Sequence, residues 1–384
     1  MGEGFAQEGV GVGGPVEVLE PGAAVEEFDG WLRLLVERDG SDLHVKVGSP
    51  PRIRVAGRLE ALARVPLRPE ETRAIAEAIV PPDRAQVLAS RGEADFAHSL
   101  PGVGRFRVNV FRQRGSISLV LRRLRFGGPT FEEIGMPDVV RRLAEEPRGL
   151  VLVTGPTGSG KTTTLAAMIA HLNRTRPVHI VTIEDPIEVL HNDEVAEINQ
   201  REVGQDTESF LSALRAALRQ DPDVILIGEM RDPETVQAAL QAAETGHLVL
   251  STLHTVDATE TVNRVIDLFP PHQQKQVRLT LAGALRGIVC QRLVPTVDGG
   301  RVPCLEVLVN TGRIAERIAD PDKTHGIAEV IAEGGYYGMT TFDGSLLELV
   351  RAGRVSVEAA LEVASNPHDF ALALQQAGIP APTP

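Results

Sequence analysis

The residues Gly155, Pro156, Thr157, Gly158, Ser159, Gly160, Lys161 and Thr162 match G-x-x-x-x-G-K-[ST], and their setting constrains the fold more than any other feature of the chain. They directly follow the apolar run Gly149–Thr154 and continue through Thr163 into a helical run that reaches Leu172. A strand, a glycine loop and a helix in that order turn successive backbone N–H groups toward one point, and the helix start adds its positive end. Phosphate oxygens are what such a cradle holds. Lys161 is then expected to reach the β- and γ-phosphates of a nucleotide, and the Thr162 hydroxyl to ligate Mg²⁺.

Further apolar runs near residues 178–183, 223–228 and 247–252 alternate with amphipathic stretches, the spacing of a parallel sheet buried on both faces. Two of them lead into carboxylates. The run at 223–228 is followed by Glu229, and the run at 178–183 by Glu184, Asp185 and Glu188. An acid leaving the C-terminal end of a neighbouring parallel strand faces the same crevice as the phosphates. Glu229 is therefore expected to hold the Mg²⁺ shell or position the attacking water, and an acid of the 184–188 group to orient or deprotonate that water. His247 and His254 bracket the last run. Their separation by a full strand argues against one shared metal, and His254 is the one placed to sense a γ-phosphate.

The 384 residues, 42% hydrophobic and 24% charged, suffice for two or three domains with cores of their own. Every apolar run falls short of the roughly 20 residues that cross a bilayer, and the N-terminus lacks a secretory pattern. Cys290 and Cys304 are the only cysteines, which fits a reducing cytoplasm and excludes a four-cysteine zinc site. The formal charge is −13, and residues 1–30 carry seven acids with no Lys or Arg. An acidic chain binds nucleic-acid phosphates and anionic lipid poorly, so neither a nucleic-acid partner nor direct membrane insertion is expected.

Residues 1–24 read as a disordered acidic tail. Val25–Arg38 reads as a helix and 68–91 as helical, whereas Leu43–Val47, Arg52–Ala56, Gly104–Phe111 and Ser116–Leu121 alternate like half-buried strands. This predicts a small α+β domain over 25–124, then a linker at 125–136, an α/β domain at 137–310, a helical region at 311–370 and a tail at 371–384.

Taken in order, these elements resemble the secretion-type ring ATPases, and among them the PilT-type retraction ATPases of type IV pili. The resemblance runs from about Asp39 to about Pro367. It rests on Gly40–His44, Gly102–Asn109, the phosphate loop, Ile183–Glu188, Asn199–Val203, Ala213–Arg219, Glu229–Asp232, Glu244–Leu248 and Thr252–Thr255. It implies an α/β chain with a PAS-like N-terminal α+β domain followed by a RecA-like P-loop ATPase domain with C-terminal helices. It further implies a homohexamer with its nucleotide sites between these domains. On this likeness Glu188 is the catalytic carboxylate, Glu229 the Walker B acid, and His247 with His254 a histidine box. Arginines of the N-terminal domain approach the phosphates in such a family, which makes Arg105, Arg107 and Arg114 candidates, since guanidinium groups stabilise charge on a transferring phosphoryl group.

ATP and Mg²⁺ are the cofactors so implied, and the cytoplasmic face of the inner membrane is the place of work. The implied partners are an inner-membrane pilus platform protein and other pilus ATPases. Retraction ATPases carry a helical signature near Ala-Ile-Arg-Asn-Leu-Ile, and here Arg313–Ala319 has Ala315 and Glu316 in place of the Arg-Asn pair. Thr324, His325 and the run Tyr337–Asp343 match the retraction type, and the four-cysteine zinc insertion of assembly and type II secretion ATPases is missing. The expected function is a hydrolytic motor for pilus retraction and twitching motility. The alternatives are a pilus-assembly or type II secretion-like ATPase, a nucleotide-binding accessory ring subunit, and a nucleic-acid translocase, which the acidic balance disfavours.

Overall fold

The computed structural model describes residues 21–380, so most of the segment read as an acidic tail lies outside the described residues. The chain divides after Arg125 into two compact units. In the first, helix Pro21–Glu37 buries Phe28, Leu32 and Leu35 along one stripe. It starts four residues earlier than its apolar periodicity predicts. Six strands form a wholly antiparallel sheet in the order Arg58–Ala61, Arg52–Val55, Asp42–Val45, Ser116–Arg123, Gly104–Gln113, Glu93–Leu100. Its inner face contributes Leu43, Ile53, Phe106, Val108, Leu119 and Leu121 to one core with Ile75 and the first helix.

Two corrections concern this unit. The helical stretch expected over 68–91 is two helices, Pro69–Ile79 and Pro82–Arg91. Val80 is extended at φ −76° and ψ 121°, the conformation a following proline enforces, so the pair Pro81-Pro82 ends one helix and starts the next. Strands Arg58–Ala61 and Glu93–Leu100 are additions. The former is exposed along its whole length and so has no buried alternation to read.

In the second unit seven strands run in the order Glu197–Glu202, His179–Glu184, Val224–Ile227, Leu248–Leu253, Gly149–Thr154, Leu285–Pro295, Arg301–Val309. The first six are parallel and the last turns back antiparallel. The four apolar runs of the sequence are thus central strands, correct to within about a residue. Alternation along them divides the core. Val151, Val153 and Leu250 pack with Leu165, Met168 and Leu172 of helix Lys161–Thr175 on one face. Leu150, Leu152, Ile225 and Val249 pack with Val236 and Ala239 of helix Pro233–Glu244 on the other.

Of the linker expected over 125–136, residues 126–136 belong to this unit. Gly127 N donates to Leu190 O at 2.7 Å, and Phe131 and Met136 are buried with the helix Lys161–Thr175. Beyond Asn310 the chain is helical, as expected, and its final helix Pro367–Gln376 reaches into the stretch read as a tail, burying Ala371 and Leu374. Among the described residues no helix is long and apolar enough to cross a membrane.

Strand Leu285–Pro295 sits flush against its neighbours at Gly287, where an added Cβ would meet Leu143 Cδ1 at 2.7 Å and the Leu308 carbonyl oxygen at 2.8 Å. Gly287→Ala should therefore destabilise this unit by about 1–3 kcal/mol through overpacking. A lower urea midpoint at unchanged slope would register it, and an unchanged midpoint would refute the close fit.

Candidate nucleotide site

The phosphate loop leaves the carboxyl end of Gly149–Thr154, where strand Leu248–Leu253 ends level with it and strand Leu285–Pro295 runs on past it from Cys290. Gly155 at φ +144° and Gly160 at φ +92° hold backbone conformations that side chains reject, and Gly160 is the N-cap of helix Lys161–Thr175. Lys161 Nζ donates to the Gly155 and Pro156 carbonyls at 2.8 and 3.0 Å. Burial lowers its pKa and the Glu229 carboxylate opposes that shift.

A cleft of 520 Å³ opens over the loop, within the size range of ligand pockets. Thr157, Gly158, Gly160, Lys161, Thr162 and Thr163 line one side, and Glu184, Asp185, Glu188, Glu229, Arg231 and His254 line the other. Gly155, Pro156 and Ser159 are not part of this lining; Gly155 and Ser159 are buried and Pro156 is exposed. The strand-end acids are therefore gathered as the sequence predicts. Glu229 forms an ion pair with Arg231, and its Oε2 lies 3.7 Å from His254 Nε2. The strand it leaves is tied to its neighbour by Thr252 Oγ1, donating to Gly228 O at 2.6 Å, and by Ser251 Oγ, donating to Ile227 O at 2.8 Å.

Glu188 stands on a loop that is braced from both sides by the edge strand Glu197–Glu202. Gln200 Nε2 donates to Val189 O at 2.9 Å and to Glu184 Oε1 at 3.1 Å, while Gln200 Oε1 accepts from His191 N at 2.8 Å. Glu202 Oε2 accepts from Ile187 N at 3.2 Å. Burial raises the pKa of Glu184 against the lowering effect of its bonds from Thr182 and Gln200. Burial likewise pushes His191 down to about 4, with Arg174 adding to the effect, so its imidazole is neutral at physiological pH. Asn199–Val203 was a motif without an assigned role in the sequence, because its residues are polar and show nothing of what they brace.

His247 is not brought to this cleft. It precedes strand Leu248–Leu253 at the end away from the phosphate loop, where its Nδ1 lies 2.9 Å from Ala242 O. The six-residue strand sets it about 20 Å from His254. Arg105 and Arg107 belong to the other unit, on the face of strand Gly104–Gln113 opposite the buried Phe106 and Val108, and Arg114 is in the turn that follows. Arg107 and Arg114 are exposed, and Arg105 is half-buried.

No group of three or more metal-ligating side chains occurs among the described residues. Mg²⁺ needs no such cage. It takes one or two protein oxygens and completes its shell with phosphates and water, and Thr162 and Glu229 facing one cleft fit that demand.

The bracing makes a separable prediction. Gln200→Leu should lower turnover roughly tenfold by loosening the Glu188 loop, since about 1–1.5 kcal/mol of hydrogen bonding is lost, while ADP affinity stays near the parent value. Steady-state kinetics with calorimetric ADP titration checks it, and an unchanged kcat would remove Gln200 from the site.

A family model described as type II/IV secretion system protein matches residues 61–339. The type IV pilus retraction ATPase PilT of Pseudomonas aeruginosa is 45% identical over 339 residues, covering 88% of this chain and 98% of that protein. The type IV pilus ATPase PilU of the same organism is 43% identical, covering 91% of each. Among solved structures, the pilus retraction motor PilT with bound ADP superposes with a TM-score of 0.81 at 44% identity, covering 89% of this chain and 98% of that one. Together with a phosphate loop ringed by strand-end acids, these likenesses establish that the chain belongs to the type II/IV secretion system protein family, as a nucleotide-binding ATPase of the PilT type.

Proposed function

We propose that this ATPase is a pilus retraction motor that works as a homohexamer at the cytoplasmic face of the inner membrane. It takes ATP with Mg²⁺ and drives depolymerisation of a type IV pilus, and hence twitching motility, through an inner-membrane platform protein. The observation that carries the reading is the end-to-end likeness to the P. aeruginosa retraction ATPase, 45% identical across 98% of that protein.

The residues divide the work by position. The loop amides of 155–162 and Lys161 bind the β- and γ-phosphates. Mg²⁺, held by Thr162 and Glu229, would neutralise charge that develops on the phosphoryl oxygens. Glu188 orients and deprotonates the attacking water from its braced loop, and His254, beside Glu229, reports the state of the γ-phosphate to strand Leu248–Leu253. Arg105, Arg107 and Arg114 of the first unit supply positive charge for the transferring group. His247 has no chemical role in its own subunit, given its place at the far end of the strand. Closure of two rigid bodies on a nucleotide, repeated around a ring, converts hydrolysis into movement.

A second reading, a pilus ATPase that assists another motor, draws on the 43% identity to PilU and on Ala315 and Glu316 at the retraction signature, where Glu316 pairs with Lys323 at 2.6 Å.

Glu229→Gln should keep ATP binding and lose turnover roughly 100-fold or more, and Lys161→Ala should lose binding itself. Mg²⁺-ATP hydrolysis followed with nucleotide titration tests both, and parental turnover in either variant would overturn the site. In cells, deletion should leave pili that extend and fail to retract. Normal retraction in the deletion strain would sink the motor reading and leave the assisting one.

A further inference from the structure

Strand Leu285–Pro295 runs parallel beside Gly149–Thr154, with Val289 opposite Val153 and Cys290 opposite Thr154. The next residue, Gln291, therefore stands beside Gly155, where the strand becomes the phosphate loop. Its side chain is 2% exposed. Gln291 Nε2 donates to the Ser159 carbonyl at 2.7 Å, and Gln291 Oε1 accepts from Thr164 Oγ1 at 2.8 Å. The fit leaves no spare volume. A Cβ on Gly160 would lie 2.7 Å from Gln291 Nε2, and a Cβ on Gly155 would strike the Gln291 backbone carbonyl. Ser159 Oγ is buried without a hydrogen-bond partner, so the loop's own hydroxyl does not substitute for this amide.

We infer that Gln291 is a positioning residue for nucleotide binding, a clasp that aims the Gly160 amide at the phosphates. The peptide joining Ser159 to Gly160 is planar and trans, so its C=O and N–H point in opposite directions. With the carbonyl locked onto Gln291, the Gly160 N–H is turned away from the strand, toward the cleft that Gly160 lines. The second bond, from Thr164 in the first turn of helix Lys161–Thr175, ties the helix start to the same amide. One side chain thereby holds the loop and the helix start in a single arrangement before the ligand arrives, which lowers the ordering cost of binding. Both bonds are buried, so losing the donor strands a carbonyl that water cannot reach.

The inference rests on the phosphate loop being the nucleotide site, and ADP binding by the parent protein tests that premise separately. The experiment titrates full-length parent, Gln291→Leu and Gln291→Glu with ADP and Mg²⁺ by calorimetry, with thermal unfolding of the same samples. Gln291→Leu should raise the ADP dissociation constant on the order of tenfold. Gln291→Glu discriminates aim from mere packing. An ionised carboxylate accepts from Thr164 and cannot donate to Ser159, whereas a protonated carboxyl does both. Burial at this position raises the pKa of an introduced carboxyl, so the ratio of its dissociation constant to the parent's should fall toward one as the pH is lowered from about 8 to about 5. Taking the ratio at each pH cancels the pH dependence that both proteins share. Parental affinity in Gln291→Leu, or a Gln291→Glu penalty that does not change with pH, overturns the clasp. If Gln291→Leu does not fold, the pH profile of Gln291→Glu decides alone. Failure of the parent to bind ADP would instead reject the nucleotide site.

Discussion

Backbone amides can grip an anion only if they are withheld from the chain's own hydrogen-bond ladder, and the second unit is organised around withholding them at residues 155–162. Strand Gly149–Thr154 is paired on both edges and buried on both faces, so its last residue is held rigidly. The ladder ends there. Positive φ at Gly155, Gly158 and Gly160 lets the chain turn at once into a helix whose first N–H groups have no partners of their own. Burial of Leu165, Met168, Ile169 and Leu172 on the sheet then fixes the axis along which that helix points its positive end.

The same parallel order explains why acids from distant segments meet. Strands His179–Glu184, Val224–Ile227 and Leu248–Leu253 end on the loop's side of the sheet, so whatever follows them in the chain faces the loop. Glu184 ends its strand, Glu188, Glu229 and His254 follow theirs, and all four line the cleft. His247 precedes one of them and does not. A histidine at each end of one strand is thereby sorted into two environments by strand direction alone, without any difference in side-chain chemistry. Polar residues beside the cleft are in turn held by bonds to backbone, as Gln200 holds Val189 and His191.

Much of this was legible in the sequence, and the misses share a cause. The four apolar runs could be read because strands buried on both faces are apolar at every position. Glu197–Glu202 escaped notice because an edge strand is bounded by polar surroundings and its alternation is weak. Leu285–Pro295 and Arg301–Val309 carry arginines and a glutamine among their apolar residues, which blurs their period. Residues 127–136 looked like a linker because their few apolar side chains, Phe131 among them, show no period. They are buried because the sheet and helix offer a place for them.

What the sequence by itself determined is whatever depends on covalent order and local period. That includes the glycine loop between strand and helix, the central apolar strands, the acids and histidine that leave their carboxyl ends, and the helical character beyond Asn310. Tertiary structure alone decided which of these meet and what holds them. The sheet places its strands out of chain order, with Gly149–Thr154 between Leu248–Leu253 and Leu285–Pro295, so Glu229 and His254 share a cleft with the phosphate loop and Gln291 reaches Thr164 across 127 residues of chain. A glutamine inside an apolar strand carries no local mark of its use. Its meaning comes from register, because one step beyond Cys290 and Thr154 is where the neighbouring strand stops being a strand and its carbonyls need a partner.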